Sequence, residues 1–257
     1  MKKTFKDEAV IGIERTGHLS PDIITEDDLK HLPPVVNKYL HYVGVVGKEK
    51  VHSMRALCKG KIRSNPGDSW MNLTSEQYNF FDDPTRIFYI RASKTRIPVV
   101  GLHLYKNVSA SMTIKLLGLI KVVDARGPEM NQAETVTILN DMCLLAPATL
   151  ISKNIQWEEV DSLSVRAKYT NGNITISAIL YFNDKGEIVN FISNDRYALE
   201  GKTYKIYPWL SPIKGYTEIN GIKLVSQASV EYQRPDTTFS YGEFTLKEVE
   251  YNCKEIK

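Results

Sequence analysis

Leu163-Ser164-Val165-Arg166-Ala167-Lys168-Tyr169-Thr170-Asn171-Gly172-Asn173-Ile174-Thr175-Ile176-Ser177-Ala178-Ile179-Leu180-Tyr181-Phe182 is the stretch on which the fold turns. Leu163, Val165, Ala167 and Tyr169 alternate with Ser164, Arg166 and Lys168. Ile174, Ile176, Ala178, Leu180 and Phe182 answer in the same period. A period of two belongs to a strand with one face in a core and the other in water. Asn171-Gly172 between the two runs is a tight reversal signal, because both residues tolerate the left-handed backbone that hairpin turns require. The stretch therefore predicts an antiparallel hairpin.

The same grammar extends in both directions. Toward the C terminus, Asn183-Asp184-Lys185-Gly186, Asn220-Gly221 and Pro235-Asp236 punctuate runs rich in Ile, Val, Phe and Tyr. Toward the N terminus, Asn65-Pro66-Gly67-Asp68 and Asp82-Asp83-Pro84 separate runs at 52–61, 70–80 and 86–92. Val108, Ala110, Met112, Ile114 and Leu116 alternate again, and Gly118 divides them from a short strand at Leu119 to Val123. The span Ser93 to Asn107 is less regular. Short connections make neighbouring strands antiparallel. The predicted fold is mainly β (α+β): one curved antiparallel sheet or half-barrel of about ten strands, with helices packed on it.

Four segments break the period. Residues 1–24, with Gly12, Gly17 and Pro21, read as an irregular N-terminal segment. Thr25 then caps an acidic helix start, Glu26-Asp27-Asp28. A second helix follows Leu32-Pro33-Pro34, with Val35, Val36, Tyr39, Leu40 and Val43 as its apolar stripe and Gly44 as its end. Glu129 to about Leu145 lacks Gly and Pro and has helical spacing, and Pro147 ends that helix or begins a short one through Ile151. The expected organisation is thus a lead-in over 1–24 and a single curved-sheet domain over 25–257, with a helical insert at about 129–151.

Composition narrows the function classes. Hydrophobic residues at 42% and charged residues at 25% are those of a globular chain with a sizeable core, which argues against disorder. Charge is balanced, 33 basic residues against 30 acidic, and no basic run stands out, so nucleic-acid binding is not expected. Met1-Lys2-Lys3 is followed by Thr4-Phe5-Lys6-Asp7-Glu8, which lacks the apolar core of a signal peptide. The most apolar windows fall short of the roughly 20 residues that span a bilayer. Cys58, Cys143 and Cys253 are odd in number and widely spaced, which fits free thiols in a reducing compartment. A soluble, cytoplasmic protein is the expectation.

Catalytic signatures are missing: no GxSxG, GxxxxGK[ST], HExxH or GxGxxG occurs. His18, His31, His41, His52 and His103 do not fall at metal-ligand spacing, so neither a metal nor a cofactor is expected. Glu76, His103, Asp124, Arg196 and Glu231 are the acid–base candidates if the chain is an enzyme, and that reading requires two or more of them to converge. The aromatic residues carry a different signal. Trp70, Tyr78, Phe88, Tyr105, Trp157, Tyr197 and Trp209 are spread over most strands, and curvature brings alternate positions onto one concave wall. They either fill a core or line a ligand cavity. Arg196, if it points inward with them, needs a carboxylate partner from the protein or from a ligand.

Several short segments, taken in order, resemble a known family. They are Leu32-Pro33-Pro34-Val35 with Tyr39-Leu40 and Gly44-Val45-Val46-Gly47; Trp70-Met71 with Thr74-Ser75-Glu76-Gln77-Tyr78; Asp124-Ala125-Arg126-Gly127-Pro128-Glu129; Ile155-Gln156-Trp157-Glu158; Asp195-Arg196-Tyr197; and Pro208-Trp209. The resemblance is to a bacterial family defined only as a domain of unknown function and spans roughly 30–252. It carries no catalytic residue over. The chain lacks the apolar N-terminal segment of many relatives. It departs from them again at Lys94-Thr95-Arg96-Ile97 and Asn140-Asp141-Met142. The strand–helix–strand order also resembles the half-barrel of LolA/LolB-like lipoprotein carriers, which implies a concave cavity suited to acyl chains. Binding of a lipid or another apolar small molecule between sheet and helices is the leading expectation. A hydrolase-like enzyme and a ligand-free interaction module are the alternatives. Oligomeric state is left open.

Overall fold

The computed structural model describes residues 1–20, 22–94, 97–201 and 203–257. Helices α1 (Lys2–Thr16), α2 (Glu26–Leu29) and α3 (Pro34–Val43) lead into six consecutive strands: β1 (Ser53–Ile62), β2 (Met71–Phe80), β3 (Thr85–Lys94), β4 (Ile97–Lys106), β5 (Ser109–Leu116) and β6 (Ile120–Arg126). Helix α4 (Pro128–Leu144) and a 3-10 turn (Pro147–Ile151) follow. The chain then builds β7 (Ile155–Asp161), β8 (Ser164–Asn171), β9 (Ile174–Phe182), β10 (Ile188–Ser193), β11 (Tyr197–Glu200), β12 (Thr203–Ile206), β13 (Trp209–Leu210), β14 (Ile213–Ile219), β15 (Ile222–Gln233) and β16 (Thr238–Tyr251).

Fourteen of these strands form one curved, open antiparallel sheet in the order β6-β5-β4-β3-β2-β1-β16-β15-β13-β10-β9-β8-β7, with β14 paired to β15 off that path. β11 and β12 form a separate ribbon. Two meanders are thus stitched edge to edge by the long β1–β16 pairing. The expectation of about ten strands is too low, and the physical reason lies in two places. β4 contains Pro98 and Gly101, which mask its alternation yet fit its position near the sheet edge. Between Tyr197 and Ile219, Gly and Pro chop the chain into pieces as short as two residues that still pair.

The hairpin at 163–182 forms, with its loop shifted by one residue. Asn171 pairs with Ile174, so the loop is Gly172-Asn173, with Gly172 supplying the positive φ of 56° at the first loop position. Asn171 is freed to point inward. At Asn220-Gly221 both residues have positive φ, the twist that a two-residue hairpin favours.

The lead-in over 1–24 is corrected: Lys2–Thr16 is a helix. Phe5, Ala9, Gly12, Ile13 and Thr16 are its buried stripe, at helical spacing, against β2 and β3 on the face of the sheet opposite α4. Gly12, which reads as a breaker, permits the contact: a Cβ there would meet the Phe80 ring at 2.2 Å. α3 matches its expected stripe, and its last turn closes on Gly44 at φ 81°.

α4 lies on the concave side and is buried nearly all round, from Met130 and Ala133 through Leu144. A helix buried on every face belongs to a protein interior. Its apolar residues Val136, Leu139, Met142 and Cys143 join α3 and the inner positions of β8–β10 in the main core. Each fully buried Leu or Ile there contributes ~1.5–3 kcal/mol. Glu134, Thr137, Asn140 and Asp141 are buried with them, and burying such groups costs free energy unless each finds a partner.

Candidate functional site

For Asp141 and Glu134 the partners come from the β2–β4 wing, whereas Asn140 Nδ2 has none among the described residues. Inner-face residues alternate along each strand, and the register aligns them in rows: Asn79, Arg86 and Tyr105, then Gln77, Phe88, His103 and Met112. The polar members of these rows meet the Glu134/Thr137/Asp141 side of α4. Asp141 Oδ2 accepts from Arg86 Nε at 2.8 Å, Asn79 Nδ2 at 2.9 Å and Gln77 Nε2 at 3.0 Å. Arg86 Nη1 donates to Glu134 Oε2 at 3.1 Å. Arg86 lies 4.6 Å from the Phe88 ring centroid, which fills the rest of its surroundings with an aromatic face.

Arg196, from the turn after β10, reaches the same helix from the other side. Its Nε donates to Thr137 Oγ1 at 3.2 Å, its Nη1 donates to the Tyr232 hydroxyl, and its Nη2 stands 4.0 Å from Glu134 Oε1. Its guanidinium stacks 4.7 Å from the Trp209 ring centroid. Trp209 is fixed in turn by its Nε1–H, which donates to the Tyr241 hydroxyl at 2.9 Å. His103 completes the group, with Nδ1 3.5 Å from Glu134 Oε1 and no hydrogen-bond partner of its own.

Glu134 is the hub. Its side chain is 1% exposed, and that burial acts to raise its carboxyl pKa; Arg86, His103 and Arg196 outweigh it and hold the group at about 2. Burial acts to lower Arg86, and Asp141 and Glu134 keep it charged and above its ordinary value. Tyr232 is pushed up by burial against the opposing pull of Arg196. The arrangement is a buried, internally compensated network of two arginines and two carboxylates. His103 and Arg196 are its most exposed members, at 19% and 13% of the side chain, with Asp141 at 10%.

Of the residues expected to line a cavity, Phe88, Arg196 and Trp209 come together here. Tyr105 is adjacent: its hydroxyl is 2.8 Å from Thr135 Oγ1 on α4 and accepts from Asn171 Nδ2 at 2.8 Å. Tyr197 sits at the margin, edge-on to Tyr204 at 6.4 Å. Three residues lie elsewhere. Trp70 precedes β2 on the surface, 4.4 Å from the Arg63 guanidinium. Tyr78 faces α1 and packs on Phe5 at 5.7 Å, because its neighbours Gln77 and Asn79 occupy the inner positions. Trp157 lies on edge strand β7, in an open groove of about 550 Å³ with Leu32, Pro33 and Pro34.

Among the acid–base candidates, His103 and Arg196 converge. Glu76 pairs with Arg55 at 2.7 Å, Asp124 is exposed beside Lys121, and Glu231 accepts from Ser229 at 2.8 Å. Arg86, Glu134 and Asp141 are the residues that sequence reasoning missed. Their signal was present: Glu134, Thr137 and Asp141 form a polar stripe on a helix whose remaining residues are mostly apolar. Among the described residues, no group of three or more His, Cys, Asp or Glu gathers to hold a metal. None of the described helices is long and apolar enough to cross a membrane.

The profile of a family of unknown function, DUF6544, matches residues 22–244. The chain belongs to this family. The match bears out the family resemblance read from the sequence. No curated protein matches the sequence. Solved structures similar to it include a DUF1329 family protein from Desulfovibrio piger, with 12% identity, 84% of this chain and 91% of that chain covered, and a TM-score of 0.46. A putative outer membrane lipoprotein-sorting protein domain from Vibrio parahaemolyticus shows 7% identity, coverage of 84% and 90%, and a TM-score of 0.46. A LolA superfamily protein from Nitrosomonas europaea shows 10% identity, coverage of 84% and 91%, and a TM-score of 0.40.

The cytoplasmic expectation for this DUF6544 chain is corrected. It is at odds with the outer membrane lipoprotein-sorting domain and the LolA superfamily protein among these structures. Its premise also fails physically. Burial pushes the thiols of Cys58 to about 12 and Cys253 to about 11, and raises Cys143 as well. Thiols so far from ionisation are poorly reactive, and their survival as thiols says little about the redox compartment.

Proposed function

We propose that the inner face of the β1–β5 wing and α4 form a trough that binds a lipid or another apolar small molecule. One observation carries the reading. The inner-face rows lose their polar members as they run outward from the charged network: Gln77, Phe88, His103 and Met112; then Ser75, Ile90, Gly101 and Ile114; then Leu73, Ala92, Val99 and Leu116, which is wholly apolar. Leu73, Phe88 and Ile90 form a small core of their own, and Met112, Ile114, Val99 and Leu116 are half-exposed. An apolar ramp that descends to a partly exposed arginine and histidine suits an amphiphile, with its polar end at Arg196 and His103 and its chain along the ramp. Gly101 keeps the ramp smooth: a Cβ there would meet Ile90 Cγ2 at 2.6 Å.

Native mass spectrometry of freshly purified protein tests this. The expected result is a fraction carrying a lipid-sized adduct, lost on organic extraction and restored by added fatty acid. A clean apo mass before and after addition would contradict it. A second reading, acid–base hydrolysis with His103 as the base, is favoured by the approach of His103 to Glu134. It requires ester turnover that disappears in His103→Ala.

A further inference from the structure

At the outer end of the same wing, the reversal between β5 and β6 is apolar and bare. Leu119 is 80% exposed, Ile120 60% and Leu117 55%, with Val122 and Ile97 also exposed. The turn is anchored: Leu117 N–H donates to the Pro98 carbonyl at 2.8 Å, which holds the reversal against the start of β4. Leu117 has φ 53° and Gly118 φ 69°. Asn, Asp or Gly is the usual occupant of the first position, and a bulky side chain there costs about 1–2 kcal/mol. Leu117 therefore disfavours the backbone and exposes apolar surface to water.

The charge around the tip is lopsided. Between Arg91 and Arg126 the sequence carries seven basic residues and one acid, Asp124; the whole chain carries 33 and 30, so the remainder holds 26 and 29. The register places Arg91, Val100, Lys115 and Lys121 in one row across β3–β6, on the face away from α4. Asp124 is engaged by Lys121 at 2.6 Å and approached by Arg126 at 3.7 Å, which leaves Arg91 and Lys115 without an acid on that row.

We propose that the Leu117–Val122 tip is a docking element for an anionic phospholipid surface, with Leu117, Leu119 and Ile120 entering the acyl boundary and the row of Arg91, Lys115 and Lys121 facing the headgroups. Apolar insertion and cationic attraction are the two forces that hold a protein at such an interface, and this hairpin presents both together. The inference goes beyond the trough reading and stands without it.

Flotation of the full chain with phosphatidylcholine vesicles, with and without phosphatidylglycerol, tests it. The protein is expected to float with the phosphatidylglycerol vesicles, to float far less with phosphatidylcholine alone, and to be released by salt. Leu119→Asp is expected to lower vesicle affinity by roughly tenfold or more, the loss of one buried leucine, with an unchanged circular dichroism spectrum and melting temperature. Lys115→Gln is expected to lower it by roughly fivefold on anionic vesicles only. Failure of the wild-type chain to float with phosphatidylglycerol vesicles, or equal flotation of Leu119→Asp, would overturn the proposal. So would dimerisation abolished by Leu119→Asp without any flotation, since the tip would then be a self-association surface. Ile114→Glu, placed in the trough, is expected to leave flotation intact, which separates failure of the trough from failure of the tip.

Discussion

The two wings of this sheet are built from the same alternation and end in opposite states. In the β8–β10 wing the inner positions Val165, Ala167, Tyr169, Ile176, Leu180 and Phe191 are all at or below 2% exposure, sealed by α3 and α4. In the β3–β5 wing Tyr105, Ala110, Phe88 and Ile90 are buried, but the inner positions Met112, Ile114, Val99 and Leu116 are half-exposed, and the side of α4 that meets this wing is charged. Equal pattern with unequal cover means that the second wing retains apolar surface beyond what folding uses. The charged seam of α4 divides the two: it terminates the dry core and forms the inner end of the open ramp.

The largest expected effect lies in the seam itself. Arg86→Ala removes one side of the network and leaves Asp141 and Glu134 buried without their main counter-charge, so equilibrium urea denaturation is expected to show a loss of about 3–5 kcal/mol. A loss below 1 kcal/mol would mean that water reaches the seam and that the wings are not separated as described.

Acid should weaken the seam next. Glu134 sits at about 2 in the folded protein against 4.5 for the ordinary group. A carboxyl lowered by folding stabilises above its unfolded value, and that contribution is lost as pH falls from about 4.5 toward about 2. Up to about 3 kcal/mol is at stake, and Glu134→Gln is expected to flatten the pH dependence of stability in that window. An unchanged slope in the variant would assign acid sensitivity to other groups.

A truncation on each wing sharpens the contrast. Leu180→Ala is expected to cost about 2–5 kcal/mol, whereas Ile114→Ala, half-exposed already, should cost about 1 kcal/mol. Equal losses in thermal melts would erase the distinction between a sealed and an open wing.

Much of this was legible in the sequence because alternation and tight reversals are local signals. The 163–182 hairpin, the α3 stripe with Gly44 and the helical insert at 129–151 follow from spacing alone. What was hidden depends on contacts distant in sequence. Gly12 discouraged a helix because its value lies in admitting Phe80, 68 positions on. β4 was obscured by Pro98 and Gly101, whose tolerance comes from neighbouring strands. Phe88, Tyr105 and Trp209 point inward, whereas Tyr78 differs from Gln77 by one pleat, and a single step of register exchanges the two faces. Glu134 and Asp141 were invisible as a pair with Arg86 because sequence distance does not reveal which strand a buried helix will meet.

The most direct test compares the wings by ligand uptake: titration of the delipidated protein with a fluorescent fatty acid, repeated for Ile114→Glu on the open ramp and Trp157→Ala at the far edge. Saturable binding that Ile114→Glu abolishes and Trp157→Ala leaves intact is the expected result. Saturable binding unaffected by Ile114→Glu, or no binding by any of the three proteins, would contradict the assignment of the open wing as the ligand site.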